Sequence, residues 1–150
     1  ELEGWKFIKS VYGTYLRNVE AGYSNKVDFS LERDACLQWN IKPHGKQISF
    51  DPHCSYYRFL HANHDGSVNI SQPYTDGKLT HSDVEEVWTA SKNKEGSWTF
   101  RNHFGAFLSA GEDGAVQNVQ GEIDPSGHFW LEDRPVRLQT LAEEARGNYY

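Results

Sequence analysis

One pattern limits what this chain can fold into more than any other: a unit of four short apolar runs occurs three times. The clearest copy spans Trp98 to Glu132. Its runs are Trp98-Thr99-Phe100, Phe107-Leu108, Val116 to Val119, and Phe129-Trp130-Leu131, separated by turn residues. Asp113-Gly114 lies between the second and third runs. Such a dipeptide between alternating apolar stretches marks a hairpin, because the turn needs positive φ angles. The segment therefore reads as four strands with a hairpin at its middle, too few to close a core alone.

The earlier copies supply the remainder. The opening step of Trp98 and Phe100 is matched by Trp5 and Phe7 and by Ile48 and Phe50. An aromatic-Leu pair follows in each, at Tyr15-Leu16, Phe59-Leu60 and Phe107-Leu108. Strands led by Val27, Val68 and Val116 come next, and the units close on Trp39, Trp88 and Trp130. The second copy is longest, and its extra residues, Gln72 to Asp83, are rich in Pro, Thr, Asp, Gly and Ser, as a surface loop is.

Twelve strands in three copies close on themselves and remove open sheet edges. The expected fold is all-β, a β-trefoil of three four-strand repeats with pseudo-three-fold symmetry: six barrel strands capped by three hairpins. The repeats run over about 5–42, 47–91 and 97–133 within a domain covering 1–135. The three tryptophans, three leucines and three valines are expected to stack as layers. At about 25 cal/mol per Å² of apolar surface, burying Trp39, Trp88 and Trp130 contributes several kcal/mol. Residues 136–150 read as a tail, either a short helix spaced on Leu138, Leu141, Ala142 and Ala145 or the opening of a further repeat.

Composition excludes several classes of function. With 150 residues the chain is one domain of ordinary size, and its formal charge of −6 argues against general binding to nucleic acid or anionic membranes. No apolar run reaches transmembrane length. The chain begins at Glu1 and contains no Met, so it reads as a processed or excised piece of a polypeptide with other domains. Cys36 and Cys54 do not occupy equivalent repeat positions and are expected to be free and half-buried, which leans toward a cytoplasmic setting.

No catalytic constellation stands out, and no cofactor is implied. The adjacent acids Glu85-Glu86 and Glu112-Asp113 would point to opposite faces of a strand, which is wrong for an acid/base pair. His61 and His64 read as polar residues at a hairpin rather than metal ligands. Binding is the more natural role. Three-fold symmetry would gather the inter-repeat turns at one end and bring Lys42, Lys46, Lys92, Lys94 and Arg134 together as a basic patch.

The run Phe100 to Ala110, with the acidic-Gly turn, Val strand and Phe129-Trp130-Leu131-Glu132 that follow, resembles the repeat of the fascin and hisactophilin superfamily of trefoils. Repeat one keeps Phe7, Gly13, Tyr15 and Leu16; repeat two keeps Phe50, Phe59, Leu60 and Ala62. That resemblance implies a non-enzymatic cytoplasmic domain binding actin filaments or another protein through surface loops. The alternative is a carbohydrate-binding trefoil attached to a larger enzyme or adhesin, in an extracellular setting, with Tyr23, Tyr74 and Asp76 as loop residues that would meet a glycan.

Overall fold

The structure is a computed structural model and describes residues 2–19, 25–55, 58–71, 74–75, 78–79 and 83–134. In chain order its strands are β1 (Gly4–Lys9), β2 (Tyr15–Asn18), β3 (Val27–Ser30), β4 (Trp39–His44), β5 (Gln47–Pro52), β6 (Leu60–Ala62) and β7 (Val68–Ile70). They continue as β8 (Tyr74–Thr75), β9 (Lys78–Leu79), β10 (Thr89–Lys92), β11 (Trp98–Arg101), β12 (Phe107–Ala110), β13 (Val116–Val119) and β14 (Trp130–Asp133). The fold is a β-trefoil.

Six strands form a closed ring. β1 pairs with β4 and β14, β4 with β5, and β10 with β11. The bridges Ile48–Trp88 and Trp98–Phe129 close the two remaining junctions, β5 to β10 and β11 to β14. Every barrel strand therefore has neighbours on both sides, and no barrel edge is left to template aggregation.

The hairpins β2–β3, β6–β7 and β12–β13 cap one end, and three equivalent hydrogen bonds join them cyclically. The Phe29 amide donates to the Gly114 carbonyl (2.8 Å), Ile70 to Asn25 (2.8 Å), and Asn118 to Gly66 (2.9 Å). Each donor is the third residue of its strand, and each acceptor lies at the turn of another repeat. At Gly114 glycine is needed twice over: φ is +92°, and an added Cβ would lie 2.8 Å from the Phe29 carbonyl oxygen.

The core is layered by repeat. Leu16, Leu60 and Leu108 are fully buried, as are Ile8, Phe50 and Phe100. Val27, Val68 and Val116 pack against or within the same cluster. The Trp39 indole N–H donates to the Leu16 carbonyl (2.9 Å), and that of Trp88 to the Leu60 carbonyl (3.2 Å). These bonds let two large polar-tipped rings lie fully inside.

The third member of that layer differs from expectation. Phe129, not Trp130, is fully buried, stacked on Phe29 (centroids 5.6 Å) and Phe100 (6.0 Å). The register explains this, since Trp39 pairs with Lys6, Trp88 with Ile48 and Phe129 with Trp98. The one-turn 3-10 helices at Ala35–Leu37 and Pro125–Gly127 set the phase: Asp34 and Asp124 cap them, and the core ring follows five residues later in both cases. Trp130 is thus one residue beyond the core position, and a one-residue step on a strand reverses the face. The same register makes Lys6 and Ile8, rather than Trp5 and Phe7, the repeat-one equivalents of Ile48 and Phe50. Phe7 belongs to a smaller cluster with Tyr15 and Leu37.

A second correction concerns the cysteines. Cys36 and Cys54 form a disulfide, with Cα atoms 5.3 Å apart. The β4–β5 ladder runs antiparallel from Trp39↔Pro52, so the residues just before β4 and just after β5 are neighbours although 18 apart in sequence. The insertion in repeat two, expected as a plain loop, carries the short β8–β9 hairpin. The proposed tail at 136–150 lies outside the described residues.

Candidate functional site

The expulsion of Trp130 from the core builds a surface feature. Trp130 is 37% exposed and stands directly opposite Lys9 in the β14–β1 ladder. Together with Ser10, Val11, Tyr12 and Gly13 of the β1–β2 turn, these two residues line a concavity of about 500 Å³. Tyr12 is 43% exposed.

Local hydrogen bonding holds the turn in shape. The Ser10 amide donates to the Thr14 carbonyl (2.8 Å) and Gly13 to Ser10 (3.1 Å). The buried Ser10 hydroxyl accepts from the amides of Tyr12 (3.2 Å) and Thr14 (3.3 Å). Gly13 at φ +80° lets the chain reverse, and Tyr12 is left at the tip. The aromatic pair is thus mounted on a fixed turn and a barrel strand.

Polar groups adjoin the rings. Glu132 accepts a hydrogen bond from the Tyr15 hydroxyl (2.8 Å), and Lys9 Nζ lies 3.8 Å from its other oxygen. Burial, then the hydrogen bond to Glu132, raises the Tyr15 phenol above its ordinary value. Tyr15 therefore remains a protonated donor.

The other barrel junctions lack the aromatic. Where Trp130 faces Lys9, the equivalent pairs are Thr89 facing Arg101 and Asn40 facing Asp51. Further concavities lie among the described residues. One of about 330 Å³ is lined by His44, Gln47, Phe59 and buried Glu86; another, of about 270 Å³, by Phe107, Gln117, Glu122 and Asp124. Neither pairs two exposed aromatic rings.

The residues singled out from sequence differ in exposure. Lys42 and Lys46 flank the β4–β5 turn, and Lys92 and Lys94 the β10–β11 turn; all four are exposed. Lys42 pairs with Asp51 (2.9 Å), and the Lys92 ammonium lies over the Trp98 ring (5.8 Å). Arg134 does not join them. It is 5% exposed, with its guanidinium over Trp5 (4.9 Å) and donating to Gln38 Oε1 (3.0 Å). A planar cation between a ring and an amide is covered from solvent, which removes it from any surface patch. Tyr23, Asp76 and the Tyr74 side chain lie outside the described residues. His61 Nε2 is 2.8 Å from Glu85, while exposed His64 meets the Phe104 edge (5.4 Å). Among the described residues no group of three or more His, Cys, Asp or Glu is placed to hold a metal.

Trp130 and Tyr12 were not singled out as binding residues because the tryptophan reads as core and the tyrosine as an ordinary turn residue. One sequence signal does distinguish Trp130: counting five residues from the capping Asp reaches Trp39 in repeat one and Phe129 in repeat three.

No protein-family model matches this sequence, and no curated protein matches it. Solved structures resemble it in fold. SeviL, bound to asialo-GM1 saccharide, aligns at TM-score 0.71 and 13% identity, covering 89% of this chain and 99% of that one. The designed three-fold symmetric protein ThreeFoil aligns at TM-score 0.68 and 14% identity, covering 88% of this chain and 100% of its own. At such identities the likeness is one of fold.

Proposed function

We propose that this domain is a non-enzymatic carbohydrate-binding module whose saccharide-stacking surface is Trp130 with Tyr12. The observation that carries this reading is the exposed Trp130 ring beside a hydrogen-bonded turn, in a concavity lined by Lys9, whose ammonium lies 3.8 Å from the Glu132 carboxylate. A pyranose has an apolar face of C–H groups and a polar rim. Flat aromatic rings meet the first, and a few convergent charged groups meet the second. That SeviL, a protein of this fold, is bound to a saccharide supports the reading without locating the site.

The filament-binding alternative draws less support. One of its five cations, Arg134, is buried, and Lys42 is paired with Asp51. The disulfide favours an oxidising, extracellular setting over the cytoplasm, because reducing compartments keep cysteines as free thiols.

A glycan array followed by titration calorimetry tests the proposal. The wild-type domain is expected to bind selected oligosaccharides, and Trp130→Ala to weaken that binding by at least about tenfold with Tyr12→Ala having a smaller effect. Saccharide binding that survives both substitutions unchanged rejects this site.

A further inference from the structure

The polar groups beside Trp130 are organised around one carboxylate. Glu132 follows Trp130 by two residues on β14, so strand alternation puts both side chains on the same outward face. Its Oε1 accepts the Tyr15 hydroxyl at 2.8 Å, and Tyr15 is itself buried among Phe7 and Leu37 with the Arg33 guanidinium 5.3 Å above its ring. The carboxylate is therefore held by a fixed post. Its Oε2 faces Lys9 Nζ at 3.8 Å, beyond hydrogen-bonding range, and both side chains are 40% exposed.

That gap has a definite chemistry. A vicinal diol can bridge it, one hydroxyl donating to Oε2 and its neighbour accepting from the ammonium. A ligand carboxylate or sulfate cannot donate to Oε2, and it brings a second negative charge against one that Tyr15 holds in place. Lys9 offers such a ligand little net attraction, because Glu132 already opposes its charge. The whole chain, at a formal −6, adds to the repulsion.

Resting on the platform reading above, we propose that the site selects uncharged saccharides over carboxylated or sulfated ones, and that Glu132 is the specificity-determining residue. The class of ligand is thus a neutral hexose or oligosaccharide presenting an apolar face to Trp130 and a vicinal diol to the Lys9–Glu132 pair.

The experiment compares a neutral oligosaccharide from the array with the same oligosaccharide carrying one carboxylated sugar, titrated into wild type, Glu132→Gln and Trp130→Ala. Wild type is expected to favour the neutral form by about tenfold, the size of one partly screened charge contact. Glu132→Gln, which preserves shape and an acceptor oxygen, is expected to bring the two affinities within about threefold. Raising the salt concentration should narrow the wild-type gap as well. Equal or tighter wild-type binding of the acidic form, or an unchanged ratio in Glu132→Gln, overturns this inference while leaving the platform standing. Loss of no affinity in Trp130→Ala, or no glycan binding by wild type, removes the platform and the inference with it. Circular dichroism of each variant separates misfolding from loss of contact.

Discussion

Trp130 faces Lys9 across the β14–β1 ladder, while its chain neighbour Phe129 is sealed in the core against Phe29 and Phe100. Two adjacent aromatic residues thus have opposite duties, and substitution should separate them. Phe129→Ala is expected to cost about 3–5 kcal/mol, as truncation of a buried ring does. Trp130→Ala should cost under about 1 kcal/mol, because its ring is already partly in water. Urea denaturation of the two variants checks this, and similar losses in both would contradict the register.

Among the described residues the three-fold comparison gives the proposed Trp130 platform no counterpart at the other two barrel junctions. The positions equivalent to Trp130 hold Thr89 and Asn40, and those equivalent to Lys9 hold Arg101 and Asp51. Calorimetric titration with a monovalent oligosaccharide should therefore return one site per chain. As a monomer the domain should bind glycan-coated cells without agglutinating them, since cross-linking needs two sites. A stoichiometry of two or three would mean that the other concavities bind as well.

The Cys36–Cys54 bridge closes a loop of 18 residues around the β4–β5 pair. Loop-closure entropy for that length corresponds to about 3 kcal/mol of stabilisation. Reduction with dithiothreitol, or the Cys36→Ser/Cys54→Ser pair, should lower the denaturation midpoint accordingly. The proposed saccharide site on β1 and β14 should keep its affinity, because neither cysteine lines it.

Lys6 occupies a position equivalent to Ile48 and Trp98 and is 5% exposed, its ammonium paired with Asp133. The hydrogen bond from Lys6, with its charge, holds the Asp133 carboxyl below its ordinary value of 3.8. The folded-state value thus lies under the unfolded one, so the contribution is fully present above about pH 4 and is lost as pH falls through the folded value. Asp65 and Asp124 are lowered too, chiefly by the hydroxyls of Ser67 and Ser126, and reinforce the same acid limb. Asp133→Asn should lower the urea midpoint at neutral pH and flatten its decline as the pH falls below about 4. Lys6→Met should hold or raise the neutral-pH midpoint, because an apolar residue there matches the other two repeats and no buried charge is left unpaired.

Much of the fold was legible because its signals are local. Alternating apolar runs, the Asp113-Gly114 turn and the recurring aromatic-Leu pairs each declare a strand or a reversal within a few residues, and three copies declare closure. The candidate site was not legible in the same way. Trp130 and Phe129 are both large and apolar, and whichever enters the core is settled by the phase of the strand after the Asp124-capped turn. Arg134 reads in the sequence as part of a basic surface, and only its packing against Trp5 and Gln38 buries it.

The sequence by itself determined the number of repeats, the all-β class and the turns, since these rest on contacts between residues close along the chain. Tertiary structure alone decided what depends on distant segments meeting. The β4–β5 ladder brings Cys36 to Cys54, and the β14–β1 ladder brings Trp130 to Lys9 and the Tyr12 turn. The physical reason is the two-residue period of a β-strand. A single step along the chain exchanges core for solvent, and only the partner strand's register says which step was taken.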